Sequence, residues 1–350
     1  MRNAQTSLVL TMALVAPAMS VAQTPRVVEQ VSGVKTVLQA VSTVSDKIVW
    51  ASGGGGTVLL TRDGGDTWER HLVPGAERLE FRGVHAVSAA EAWALSIGNG
   101  PASRIFHTAD GGTSWTEQFR NADSTAFYDC ITFFDAKHGV AYSDASRSGT
   151  TILRTEDGGK HWDLLPAASV PVALKGEGGF ASSNSCAISV DSRHGWIAAS
   201  EPAARVFRTD DAGKTWTIAA LVPVVHDSAA GLTALSFRDS MHGMGVAAVI
   251  GRGVMTRDSV AEAVATTEDG GTTWVLRHRP DRPGVLSGVA FVPGAGDHTA
   301  VIASYSGVFF STNNGDSWTA VAAGYYWAVR SAGKFAWAVG RGGVITRLEF

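Results

Sequence analysis

Apolar and β-branched residues come in short runs along this chain, alternate with polar ones, and are cut by Gly, Asn, Asp and Pro every few residues. That pattern predicts short strands joined by tight turns and no helix of useful length. Residues 126–165 show the unit: an innermost strand at Cys130–Phe134, a turn at Asp135–Gly139, and a second strand at Val140–Ser143. A third strand at Thr151–Thr155 follows, and a fourth comes after Trp162. The same register fits 34–73, 80–120, 183–222, 230–278 and 285–322.

A short motif punctuates each unit between its third and fourth strands. It reads TRDGGDTW (61–68), TADGGTSW (108–115), TEDGGKHW (155–162), TDDAGKTW (209–216), TEDGGTTW (267–274) and, degenerate, STNNGDSW (311–318). Its acidic position falls at Asp63, Asp110, Asp157, Asp211, Asp269 and Asn313, and its aromatic position at Trp68, Trp115, Trp162, Trp216, Trp274 and Trp318. A recurrence of roughly 40–60 residues with four strands per unit is the signature of propeller blades. A Gly-rich phosphate loop would be wanted once, so six copies are read as hairpin turns. In them the Asp accepts turn amides, Gly permits a positive φ, and Trp packs on the neighbouring strands.

Residues 324–350 supply three more strands, and PRVVEQV (25–31) stands unpaired before the first blade. The expectation is an all-β, seven-bladed propeller of four-stranded antiparallel blades, the N-terminal strand completing the last. One domain spans 23–350, and closure leaves no exposed edge. A monomer is expected.

Composition narrows the function. The net charge of −3 gives no electrostatic case for nucleic acid. Arg2, the apolar run Leu8–Met19 and the small residues Ser20-Val21-Ala22 read as an export signal over 1–22, cleaved near Ala22. Loss of Arg2 with it takes the charge to −4, and the product is expected to be periplasmic or secreted. No metal-ligand spacing and no dinucleotide fingerprint is present, so no cofactor and no metal is expected. His138, His194 and His242 share one Asp-x-x-His-Gly turn and are read as turn residues.

The repeat also serves as a filter: what recurs belongs to the scaffold. Ala40, Gly83, Cys130, Cys186, Ala234 and Gly288 share one position on the innermost strands, where crowding near the axis selects small side chains. Cys130 and Cys186 lie in adjacent blades and are either bridged or two buried thiols. The preceding position holds Gln39, Arg82, Asp129, Ser185, Thr233, Ser287 and, near that level, Trp327, read as lining the central channel, with Arg82 and Asp129 placed to pair. Ten of the eleven tryptophans are in phase with the repeat; Trp327 is not.

Strand polarity puts the motif turns on one face and the irregular loops on the other, including 98–104, 143–150, 200–205, 250–263 and the long connection 166–185. Variable loops on a rigid scaffold are where binding residues concentrate. The candidates there are Arg82, Arg104, Tyr128, Asp129, Asp144, Arg147, Glu177, Glu201, Arg205, Arg252, Arg257, Tyr305, Tyr326 and Trp327, rich in the Arg and aromatic types that anchor interfaces.

The stretches GTTILRTEDGGKHW and FFDAKHGVAYSD resemble the BNR/Asp-box propellers of the photosystem II stability/assembly factor type, a resemblance running from about Pro25 to Phe350. It implies a non-catalytic exported accessory protein that binds a protein partner, such as a membrane-complex component during assembly. Sialidase-like glycoside hydrolases also carry these motifs, and the alternative is a carbohydrate-active enzyme using Asp129, Asp144, Glu177 and Glu201. Against it, FRGV (81–84) departs after two residues from the Phe-Arg-Ile-Pro start of sialidases.

Overall fold

A computed structural model describes residues 24–146, 149–200, 202–226, 230–249, 262–282 and 284–350. The expected export signal over 1–22, Arg147, Glu201, Arg252 and Arg257 lie outside the described residues.

Seven antiparallel four-stranded sheets are present, each following chain order from the innermost strand outward, except the last. That sheet runs Tyr326–Ala332, Phe335–Gly340 and Ile345–Glu349, and its outer edge is taken by Arg26–Gln30. Val27 lies opposite Leu348 and Gln30 opposite Ile345, so the start of the chain closes the ring against its end. Among the described residues the only helical pieces are four single 3₁₀ turns.

The recurring motif is a hydrogen-bonded turn. In the first copy Thr61 Oγ1 donates to Asp63 Oδ1 at 2.7 Å and accepts from Gly65 N. Asp63 in turn accepts from Thr67 N at 2.9 Å and from Thr67 Oγ1 at 2.6 Å. The same net recurs at Asp110, Asp211 and Asp269. The glycine two after the acid has a positive φ in all six copies, from 77° to 94°, a conformation that a Cβ would strain. In the degenerate copy Asn313 keeps the acceptor role toward Ser317 N, but its Nδ2 now donates to Ser317 Oγ. The turn histidines bond the Asp three residues earlier, His138 to Asp135, His194 to Asp191 and His242 to Asp239.

Blades are joined by the tryptophans of the second strands, all fully buried. Trp93 Nε1 donates to Gly158 O, Trp196 to Gly270 O and Trp337 to Gly64 O, each reaching the motif turn of the next blade. Trp93 also stacks on Phe133 and Trp196 on Phe237, with ring centroids 3.9 and 3.8 Å apart.

Each innermost strand except that of the fourth blade carries a bulge, and the residue left out of the pairing is Gln39, Arg82, Asp129, Thr233, Ser287 or Trp327. A bulge re-aims one side chain, and here it aims that chain at the axis. The axis is not an open channel, however. Residues 181–186 are all buried and pass through its centre. Asn184 Nδ2 donates to Val84 O and Ile131 O, and Oδ1 accepts from Ile131 N. Ser182 Oγ donates to Thr233 O and Ser287 O, and Arg330 Nη1 donates to Ser185 Oγ at 2.5 Å. One connection therefore bonds to the innermost strands of five blades. Gln39, Asp129, Thr233 and Ser287, expected to line an open channel, are buried beside this plug. Ser185, expected among them, belongs to the plug itself. The fourth blade's innermost strand is shortened to Ala187–Ser189, because the residues before it are committed to the axis.

Cys186 ends the plug and is joined to Cys130 of the third blade by a disulfide, with Cα atoms 6.0 Å apart. The small-residue position is crowded as expected: a Cβ on Gly83 would stand 2.9 Å from Leu95 Cβ and 3.0 Å from Asn184 Oδ1.

Candidate functional site on the loop-rich face

The connection 166–185 crosses the loop-rich face before it enters the axis, and the acidic candidates gather around it. Arg205 donates to Glu177 from Nε at 2.6 Å and from Nη2 at 2.5 Å, a two-point fork with both side chains buried. Leu174 N also donates to Glu177 Oε2, and Arg205 Nη2 to Val172 O. The pair is thus a clamp that fixes the connection's turn. Buried ion pairs owe their survival to such full hydrogen bonding.

Past the clamp, Gly179 N donates to Asp144 Oδ1 at 3.0 Å. Gly178 lies so close that a Cβ there would stand 2.3 Å from the same oxygen. Asp129 is 1% exposed. Burial first, then the neighbouring Asp144 charge, push its carboxyl well above the usual range, with Arg82 pulling weakly the other way. Asp144 is also raised, chiefly by burial. Asp129 Oδ2 is buried without a hydrogen-bond partner, so ionising this carboxyl beside Asp144 is disfavoured.

Asp129 and Asp144 line a recess of 460 Å³ with Arg82, Phe127, Glu177 and Phe180. At its edge Arg82 donates to Glu80 Oε1 at 3.0 Å and to Ala181 O at 3.1 Å. It does not form the expected ion pair with Asp129; Glu80, two residues before it on the same face, takes that place. The Arg82 guanidinium lies over Trp327, 5.1 Å from the ring centroid. Trp327 meets Tyr305, whose ring stacks on Tyr325 at 4.0 Å. Arg82, Tyr305, Tyr325 and Trp327 are all half-buried, presenting ring and guanidinium surface to solvent.

Other expected contact residues are placed differently. Tyr128 and Tyr326 point into their blades, 3% and 2% exposed. Tyr326 bonds Thr346 Oγ1 at 2.8 Å, and Tyr128 packs edge-on against Phe119. Both stand where other blades place Leu38, Phe81, Leu232 and Leu286 before the bulge, a core position the repeat itself marks. Tyr325, one residue earlier and not singled out from the sequence, is the accessible ring. Arg205 is inside the clamp. Arg104 stays near the surface, tied to Glu117 and Pro101 O.

No family model matches the chain. A 46-residue stretch, 12% of the chain, is 46% identical to the photosystem II assembly lipoprotein Ycf48 of Synechococcus sp. (strain CC9605), and spans 14% of that protein's length. Among solved structures, Ycf48 bound to a D1 peptide superposes with a TM-score of 0.66 at 17% identity, covering 94% of this chain and 97% of that one. Ycf48 from Cyanidioschyzon merolae gives 0.61 at 17%, over 92% and 98%. The GH74 enzyme of Niastella koreensis gives 0.65 at 14%, covering 93% of this chain and 53% of that enzyme. The chain is thus a seven-bladed propeller similar in its whole fold, and in one stretch of its sequence, to the photosystem II assembly protein Ycf48.

Proposed function

We propose that this chain is an exported, non-catalytic propeller that binds a segment of a protein partner on its loop-rich face, as an assembly or stability factor for a membrane complex. The observation that carries the reading is the surface made by Tyr305, Tyr325 and Trp327, with Arg82 over the Trp327 ring. Rigid aromatics and arginine are the side chains that supply most of the energy at protein interfaces. The adjoining recess gives such a segment somewhere to seat a side chain. A Ycf48 propeller solved with a D1 peptide supports the class of ligand. Export is supported by the leader-like pattern at 1–22 and by the Cys130–Cys186 bridge, since disulfides persist in oxidising compartments. The protein acts as a monomer in this reading.

A second reading, glycoside hydrolysis, draws on the convergence of Asp129, Asp144 and Glu177 on one recess and on the GH74 likeness. The local chemistry favours it less. Two-carboxylate hydrolases hold their groups roughly 5–5.5 Å or 6.5–9.5 Å apart with a water or sugar between. Here Asp129 is buried without a partner for its Oδ2, Asp144 accepts from Gly179 N, and Glu177 is spent on Arg205.

The test is crosslinking in intact cells followed by identification of what is captured. A specific membrane-complex protein should be recovered with the native chain and lost when Arg82→Ala and Trp327→Ala are combined, with the circular dichroism unchanged. Equal capture by the double variant would rule out this face. Hydrolysis of a glycoside panel, abolished by Asp144→Asn, would support the second reading instead.

A further inference from the structure

On the opposite face the axis opens into a funnel whose floor is the plug. Two adjoining cavities of 320 and 180 Å³ share Ile188, Ser189 and Arg330 as lining. Arg238, Pro293 and Gly333 mark the rim, each in or beside a turn on the motif face. Hydroxyls of Ser42, Thr43, Thr132, Ser189, Ser236 and Ser331 are set among a mostly apolar lining.

Arg330 is the exception. It comes from the last blade and reaches across to the plug, bonding Ser185 Oγ, Asn184 O and Val329 O. Those bonds use both protons of Nη1 and one of Nη2. Among the described residues, Nε–H and the second Nη2 proton have no protein acceptor, and no carboxylate lies within ion-pair distance. The accessible surface of this half-buried residue faces the cavities. Burial draws its pKa down to about 10, which leaves it charged at neutral pH. Its titratable neighbour in the funnel, His85, is held down to about 4, by burial first and by the Arg330 charge second, and is neutral. Arg238 at the rim is paired with Asp239 at 3.6 Å. The funnel therefore encloses one net positive charge with two outward donors. A plug latch alone needs only a neutral donor, and an uncompensated buried charge is costly. Guanidinium forks match the paired oxygens of carboxylate and phosphate.

We propose that this axial funnel is a binding site for a small oxyanion, held by the free edge of Arg330. The ligand is a carboxylate or a phosphate small enough to enter from the motif face. It is separate from the partner-binding surface, which lies on the other side of the plug.

The full mature chain is titrated calorimetrically and by thermal melting with inorganic phosphate and, separately, with acetate, against chloride at equal ionic strength. At least one should bind stoichiometrically and raise the melting temperature above the chloride control. Response to phosphate alone or acetate alone identifies the class, and response to both establishes the shared oxyanion chemistry. Arg330→Gln, which can still reach the plug, should weaken binding at least ten-fold. Ser236→Glu leaves the latch intact and puts a carboxylate inside the funnel. It should melt no lower than the native chain and lose the anion response, which keeps the test decisive if Arg330→Gln folds poorly. No response to either anion, or an undiminished response in Ser236→Glu, overturns the proposal.

Discussion

Asn184 stands to Ile131 as a neighbouring strand would: its Oδ1 accepts the Ile131 N–H at 2.9 Å and its Nδ2 donates to the Ile131 carbonyl at 3.1 Å. The same amide reaches Val84 O. It holds this pose with a backbone φ of 59°, which asparagine tolerates better than most residues. Asn184→Ala leaves three buried backbone groups unpaired, at about 1–3 kcal/mol for each that water cannot reach. A loss of at least about 3 kcal/mol in chemical denaturation is expected. Asn184→Asp removes the donor and should be comparably costly, so a loss under about 0.5 kcal/mol in both would contradict the role.

The Cys130–Cys186 bridge closes a loop across a sequence separation of 56 and ties the plug to the third blade. The chain-entropy relation gives about 4 kcal/mol for a loop of that size, with strain subtracting from it. Replacing both cysteines by alanine should lower the denaturation midpoint. It should also expose the peptide bonds around 178–186 to limited proteolysis before the blades are cut. Simultaneous cleavage throughout would mean that the plug needs no tether.

The carboxyl pair and the motif acids pull stability in opposite directions with pH. Asp129 is raised in the folded protein by burial and by Asp144. The native state binds more protons than the unfolded chain, so stability is fullest below the unfolded value near 4 and falls as pH rises from there. Asp110 and Asp157 are lowered to about 2, Asp110 chiefly by the Ser114 hydroxyl and Asp157 by the His161 amide. They contribute stability above the unfolded value that is lost as pH falls from about 4 to 2. Asp129→Asn, which removes the charge that burial disfavours, should therefore raise the melting temperature at pH 7 to 8 and leave it nearly unchanged at pH 4. A uniform shift at all pH values would contradict the raised Asp129 carboxyl.

Deleting residues up to Gln30 uncovers the strand Ile345–Glu349 along its whole length. Exposed edges template association. The truncated chain should melt lower and elute as oligomers in size-exclusion chromatography, and a peptide of residues 24–31 added in trans should partly reverse both. An unchanged monomer would show that the ring does not need this strand.

Blade count, strand order, the closure of the ring and the turn role of Asp63 and its equivalents were legible from the chain alone, because they rest on local periodicity repeated six or seven times. A short-range pattern that recurs is its own control. The same logic placed the small residues at Gly83 and Gly288 correctly, since convergence toward the axis acts on every blade alike. It failed at Tyr128 and Tyr326, which were picked for chemical type although the repeat assigns them a core position, and so it passed over Tyr325.

The sequence by itself determined the propeller and which face carries the irregular loops. Only the tertiary structure decided what those loops do: that 181–186 turns inward to fill the axis, that Glu177 and Arg205 are a clamp, that Asp129 is buried beside Asp144, and that Arg330 meets Ser185 across the ring. The reason is range. Turn and strand preferences are set by neighbours a few residues away. These contacts join groups up to 145 residues apart, each occurs once, and their burial and charge exist only after the seven sheets have closed around them.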